Sequence, residues 1–188
     1  MELNQNSQST AYNRYPEIFK EVKTIIPQPN QILSFGCSTG LECETLHLLY
    51  FPNTKIIGLD INNKLIENNK IKNYYRNIVY HSIPENVPNK SDIIFANSVL
   101  CRWPENEGKY TFDTFNNTLH IIDNLLQING YLCIYNSKYL FCESDIFKNN
   151  RYKKIDTSYK ETGFVTKYHK DGRKLNFDYP FYLFKKIT

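Results

Sequence analysis

Blocks of apolar residues recur along the chain with two periods, one helical and one extended. Residues 15–26 set Ile18, Phe19, Val22, Ile25 and Ile26 on one helical face; Pro16 suits the first turn, and Pro27 and Pro29 stop the helix. Apolar runs of strand length follow at 31–35, 54–60, 77–82, 91–97 and 131–135. Between them, helices are predicted from about Leu41 to Tyr50, from Asn62 or Asn63 onward, and from about Lys109 to Gln127. The last buries Phe112, Phe115, Leu119, Ile122 and Leu126 at offsets of three and four, and Asn129-Gly130 ends it. Residues 83–90 hold two prolines and are too short and broken for a further full helix. The pattern fades from 136 to 159. Residues 164–168 and 181–184 then predict two closing strands about the turn Asp171-Gly172.

Short buried strands alternating with helices mean parallel β-α-β units. The expected fold class is therefore α/β: a mostly parallel, seven-stranded sheet with helices on both faces and an antiparallel closing hairpin. The 188 residues suit a single domain. Within it, 1–30 would form a helical cover, 31–136 the core and 137–188 the closing strands. The polar start lacks the charged-then-apolar pattern of an export signal, and no apolar run reaches the length of a membrane span. Five cysteines (Cys37, Cys43, Cys101, Cys133, Cys142) are scattered without zinc-like pairing. Reduced thiols in a cytoplasm are the expectation, with no metal and no membrane partner.

Charge changes this picture only near the end. Residues 1–137 carry 11 Lys and Arg against 13 Asp and Glu, a balance of −2; residues 138–188 carry 12 against 6, a balance of +6. A basic tail can face an anionic partner, nucleic acid included, but clusters of this size also occur as plain solvated surface, which is the favoured reading.

The chemistry concentrates between Gln31 and Asp60. A strand ends at Gly36, five residues hold two glycines, and a helix begins at once. Glycine allows a sharp turn and close backbone approach, and a helix start offers unpaired N–H groups to an anion. Twenty residues after Gly40, Asp60 ends the second strand, where a carboxylate can accept hydrogen bonds from a ribose diol. The loop is Gly-x-x-x-Gly, with Cys37 and Ser38 inside and no third glycine. That spacing disfavours a dinucleotide pyrophosphate, and with it a nicotinamide-dependent oxidoreductase, and is compatible with an amino-acid moiety at the helix start.

Residues 32–42 (Ile-Leu-Ser-Phe-Gly-Cys-Ser-Thr-Gly-Leu-Glu) followed by 57–61 (Ile-Gly-Leu-Asp-Ile) resemble the first two motifs of the class I, Rossmann-like S-adenosylmethionine-dependent methyltransferases. Residues 92–97 resemble the fourth-strand motif of that family, and 125–132 the helix–Gly–strand motif that follows. The resemblance implies S-adenosylmethionine as cofactor. Gly36, Cys37, Ser38 and Gly40 would line its methionine part, Asp60 would hold the ribose hydroxyls, and Ile61 would pack on the adenine. His81 or Ser82 would lie beside the adenine edge, and the backbone carbonyl of Asn97 would meet the amino group. Two departures stand out. The broken segment 83–90 replaces a helix usual before the fourth strand, and Ala96-Asn-Ser-Val-Leu100 is not the Asn/Asp-Pro-Pro-aromatic signature of amino-methylating DNA and protein enzymes.

Acceptor groups should come from loops at the carboxyl ends of the strands. The segment after the fourth strand holds the only tryptophan: Trp103 could stack on an acceptor, Arg102 could pair an anionic group and Glu105 could take a proton. Alternatively it is a surface loop with Trp103 packed on the long helix. Tyr12, Arg14 and Tyr15 could cover the cofactor, although an aromatic staple for the first helix is the favoured role; Tyr139 and Phe141, after the fifth strand, are further acceptor candidates. His47 and His120 read as structural, His169 and Lys170 as solvated, and Cys37 as a small loop filler rather than a nucleophile. The expected function is methyl transfer to an acceptor that is a small molecule in preference to a macromolecule. The alternative is a catalytically silent, methyltransferase-like partner subunit.

Overall fold

In the computed structural model, residues 10–103, 110–160 and 163–188 are described. The predicted strands appear as β1 (Gln31–Phe35), β2 (Lys55–Leu59), β3 (Ile78–His81), β4 (Ser91–Asn97) and β5 (Leu126–Tyr135). They are joined by β6 (Tyr152–Lys154) and β7 (Leu183–Lys186) in one seven-stranded sheet of order β3-β2-β1-β4-β5-β7-β6. The first five strands pair in parallel; β7 runs antiparallel to β5 and to β6. The order reverses between β1 and β4, which makes the carboxyl ends of those two strands the place where an open α/β sheet forms a crevice.

Alternation along each strand divides the core into two. Ile32, Ile56, Ile78, Ile93 and Cys133 point to one face, under α1 (Pro16–Ile25), α2 (Leu41–Thr45) and α3 (Asn63–Lys72). Their neighbours Leu33, Ile57, Val79, Ile94 and Leu132 point to the other, under α4 (Phe112–Leu125) and α5 (Asp145–Lys148). On α4, Phe115, Leu119 and Ile122 are fully buried, as the three-and-four spacing requires. No full helix lies between β3 and β4: residues Pro84–Asn86 make one short 3-10 turn, and Val87 covers that part of the sheet. α2 continues directly into a π-helical stretch, Leu46–Tyr50, closed by the Phe51 N–H donating to the Leu46 carbonyl at 2.7 Å.

The closing hairpin differs from its prediction. Residues 164–168 are not a strand: Phe164 is exposed, and Tyr168 makes only single bridges to Tyr139 and Lys174. The partner of β7 is instead the three-residue β6, too short to display alternation. Side-chain packing holds it there. Tyr152 is buried against Phe141, at 5.1 Å between ring centroids, and donates to Asp123 on α4 at 2.7 Å. Asp123 also pairs with Lys186 of β7 at 2.9 Å and with Arg151 at 2.8 Å. The Lys186 ammonium donates further to the carbonyls of Asp123 and Leu126, so this buried charge is fully hydrogen-bonded.

Candidate functional site

The glycine loop sits where β1 gives way to α2. Gly36 and Gly40 have φ of +78° and +85°, in the left-handed region. Their missing side chains make room for the protein itself. A Cβ on Gly36 would lie 2.5 Å from Val99 Cγ2, and one on Gly40 would lie 2.5 Å from the Tyr80 hydroxyl. The loop is tied to β2 by the Gly36 and Cys37 N–H groups, which donate to the Leu59 carbonyl at 2.7 and 3.1 Å. Cys37 is buried, beside Cys43 and Tyr80 in the core beneath α2, so its thiol faces away from the crevice and acts as a filler. The hydrogen bond with the Cys43 thiol, and then burial, push the Cys37 pKa up, which further opposes a nucleophilic role.

Asp60 follows β2 directly, half-buried. One carboxylate oxygen accepts the Ser38 N–H at 2.9 Å and the other the Asn62 N–H at 2.9 Å. Each oxygen keeps a second lone pair for a ligand hydroxyl. Ser38 adopts φ +50°, and its carbonyl accepts from Asn69 Nδ2 on α3 at 2.8 Å. Ile61, His81 and Ser82 lie half-buried at the carboxyl ends of β2 and β3. Among the described residues His81 Nε2 is buried without a hydrogen-bond partner. Desolvation, with Lys70 and Lys55, lowers the His81 pKa and keeps the ring neutral, with one donor and one acceptor nitrogen.

A second carboxylate was not singled out from the sequence. Glu42, in the first turn of α2, is partly accessible and accepts from Ser34 Oγ of β1 at 2.7 Å and from Asn97 Nδ2 of β4 at 3.0 Å. Burial raises its pKa; the Asn97 and Ser34 hydrogen bonds and the Arg14 charge partly offset this. On a helix pattern Glu42 reads as an ordinary polar position, and only the register of β1, α2 and β4 brings it to the crevice. Asn97 thus contributes its side-chain amide here, with Cys133 Sγ 3.6 Å from its Oδ1.

Residues 12–15 cross the carboxyl edge as a strap. The Asn13 N–H donates to Thr45 Oγ1 at 2.9 Å, and the Tyr50 hydroxyl donates to Asn13 Oδ1 at 2.8 Å. In the wide π-helical turn, residues five apart come onto one side, which lets Thr45 and Tyr50 hold the same asparagine. Tyr15 packs edge-on to Tyr135 at 5.3 Å, and its hydroxyl lies 2.8 Å from Ser98 Oγ. Asn136 Nδ2 donates to the same Ser98 oxygen at 2.9 Å. Desolvation pushes the Tyr15 pKa up to about 12, so the phenol stays protonated near neutral pH. Tyr15 therefore serves both as a staple against Phe19 and as a cover for the crevice.

Among the acceptor-side residues expected from sequence, Arg102 is half-buried beside Cys101. Trp103 is exposed and meets Phe164 edge to face. Glu105 lies outside the described residues. Tyr139 is buried among Tyr110, Phe112 and Phe115, and Phe141 is buried with Phe147 and Phe184, so both belong to the core. His169 is held by Glu143 at 2.7 Å. No cluster of three metal-ligating side chains occurs among the described residues.

The sequence model of a methyltransferase domain family matches residues 29–177. No curated protein matches the chain. Among solved structures, the chain is similar to CalS10, an amino pentose methyltransferase from Micromonospora echinaspora with S-adenosylmethionine bound. The identity is 15%, the TM-score 0.49, and coverage 66% of this chain and 50% of that one. It is also similar to PKMT2 from Rickettsia typhi in complex with S-adenosylhomocysteine, at 17% identity and TM-score 0.46 over 66% of this chain and 26% of that one. The plantazolicin methyltransferase BpumL is similar at 16% identity and TM-score 0.44, over 58% and 40% of the two chains. The chain therefore spans half or less of the length of each of these proteins.

Proposed function

The chain belongs to this methyltransferase domain family, and we propose that it transfers the methyl group of S-adenosylmethionine to a small-molecule acceptor. The observation that carries this reading is the pair of carboxylates on either side of the glycine loop, Glu42 bonded to β1 and β4 and Asp60 bonded to Ser38 from the end of β2. An acid on one side suits the ammonium of an amino-acid moiety, and an acid on the other suits a sugar diol. The unpartnered, neutral His81 Nε2 at the end of β3 fits a heteroaromatic edge with its own donors and acceptors. The three groups lie at the carboxyl ends of neighbouring elements, in the order that one extended cofactor would meet them.

When bound, the sulfonium supplies a methyl group that is already electrophilic. The residues of the chain then have three tasks. Glu42 holds the amino-acid end, Asp60 the ribose, and His81 with Ile61 the base. The strap closes over the crevice through Tyr15 and excludes water from the reacting end. Tyr15 and Ser98 present hydroxyls where an acceptor enters, with Ser98 held from behind by the buried Asn136, and the protonated phenol acts there as a hydrogen-bond donor, not as a base. Positioning two reactants in contact can lower a barrier by roughly 7–11 kcal/mol, so such a site can work without a dedicated base.

Tyr15 of the strap and the buried Asn136, which Val165 holds, border the acceptor end at Ser98, and this supports a small acceptor. Calorimetry with S-adenosylhomocysteine tests the reading. Micromolar binding is expected, and Asp60→Ala should weaken it by about tenfold or more through loss of charge-assisted hydrogen bonds. No heat at saturating ligand, or equal affinity in the two proteins, would remove the assignment.

A further inference from the structure

Two large rings stand open at the acceptor end of the crevice. Trp103 is 42% exposed and Phe164 55% exposed, and they meet edge to face with centroids 5.1 Å apart and planes at 78°. Neither belongs to the two core clusters. An edge-to-face pair leaves ring faces free for a third ring, and exposed aromatics of this size are expected to bury area when a partner arrives.

Their position is fixed through the site. Val99, four residues before Trp103, packs against Gly36 of the cofactor loop. Phe164 lies between Gly163, where a Cβ would be 2.6 Å from Asn136 Oδ1, and Val165, whose N–H donates to that oxygen at 2.9 Å. Asn136 in turn donates to Ser98, which meets the Tyr15 hydroxyl. The open rings therefore adjoin a line of hydroxyl and amide groups that leads to the glycine loop.

Resting on the methyl-transfer reading, we propose that the methyl acceptor is a flat aromatic ring carrying a hydroxyl or nitrogen substituent. The ring stacks against Trp103 and Phe164. Its substituent reaches the Tyr15 and Ser98 hydroxyls, which orient the acceptor atom toward the cofactor. Phe164 is then a specificity-determining residue, and saturated rings of the same size are poor ligands because they lack the face-on contact.

Trp103 is the only tryptophan in the chain, so its emission reports this site directly. The protein saturated with S-adenosylhomocysteine is titrated with catechol and 8-hydroxyquinoline, and with cyclohexanediol as the saturated control, by Trp103 emission and ligand-observed NMR. The aromatic probes should quench saturably and bind about tenfold tighter than the control. Phe164→Ala should weaken them by about tenfold, and Phe164→Tyr should restore binding. S-adenosylhomocysteine affinity should stay within about twofold in both variants, since Phe164 is not in the cofactor site. Equal binding of the saturated ring, no saturable quenching, or an unchanged Phe164→Ala protein would overturn the aromatic-acceptor proposal while leaving cofactor binding intact. Failure of the unaltered protein to bind S-adenosylhomocysteine would instead strike the methyl-transfer reading, and the proposal with it.

Discussion

Replacing Glu42 by glutamine removes one charge and keeps the shape of the side chain. The Asn97 amide can still donate to the glutamine oxygen, and the Ser34 hydroxyl, now as acceptor, can receive its amide, so the local hydrogen bonds survive. Two opposite effects are expected. Glu42 is an acid whose folded pKa is raised by burial, so the folded state holds its proton more tightly than the unfolded chain does. Its ionisation therefore costs stability as pH rises through the unfolded carboxylate range and onward to the folded value, and costs nothing below that range. Glu42→Gln should melt at or above the parent temperature near pH 8, with the difference vanishing near pH 4. Cofactor affinity should move the other way. A hydrogen bond to a charged partner contributes about 1.5–3 kcal/mol, so losing it weakens S-adenosylhomocysteine by about 10- to 150-fold at pH 8. Over the range in which Glu42 titrates, the parent should also bind more tightly as pH rises, because binding favours the ionised acid. Calorimetry from pH 4 to pH 8 measures the affinity of both proteins. An affinity of Glu42→Gln within twofold of the parent at pH 8 would refute the assignment of Glu42 to the amino-acid end.

Gly36→Ala combines a left-handed backbone, worth about 1–2 kcal/mol for an L-residue, with a collision against Val99. Urea denaturation should show at least that loss, and adding Val99→Ala should recover the steric part alone. Asp123→Ala should destabilise by about 3–5 kcal/mol by stranding the buried Lys186 ammonium. Adding Lys186→Met should restore much of it; a single variant as stable as the parent would show that the pair contributes nothing.

The first five strands and the long helix were legible because burial imposes a period on the residues that make them, but the helix ends at Leu125, and Leu126 and Asn129-Gly130, read as its last turn and its stop, lie in β5. The glycine loop and Asp60 were legible because positive φ and a strand-end acid leave few residue types to choose from. The closing hairpin was not. A three-residue strand has no period, and β6 is placed by the Tyr152 ring and hydroxyl, which are contacts of long range. Phe164, expected in a closing strand, lies outside any strand and is exposed. Glu42 escaped notice for a related reason. Its partners lie 8 and 55 positions away in sequence, so nothing local marks it off from the acidic residues expected on any solvated helix.

The strap, residues 12–15, is bonded at Thr45, Tyr50 and Ser98. Floor and roof of the binding space are therefore parts of one short polypeptide stretch, with the first helix between them. Where a ligand lies beneath Tyr15, its loading and unloading are coupled to the bonds made by Asn13 and Tyr15.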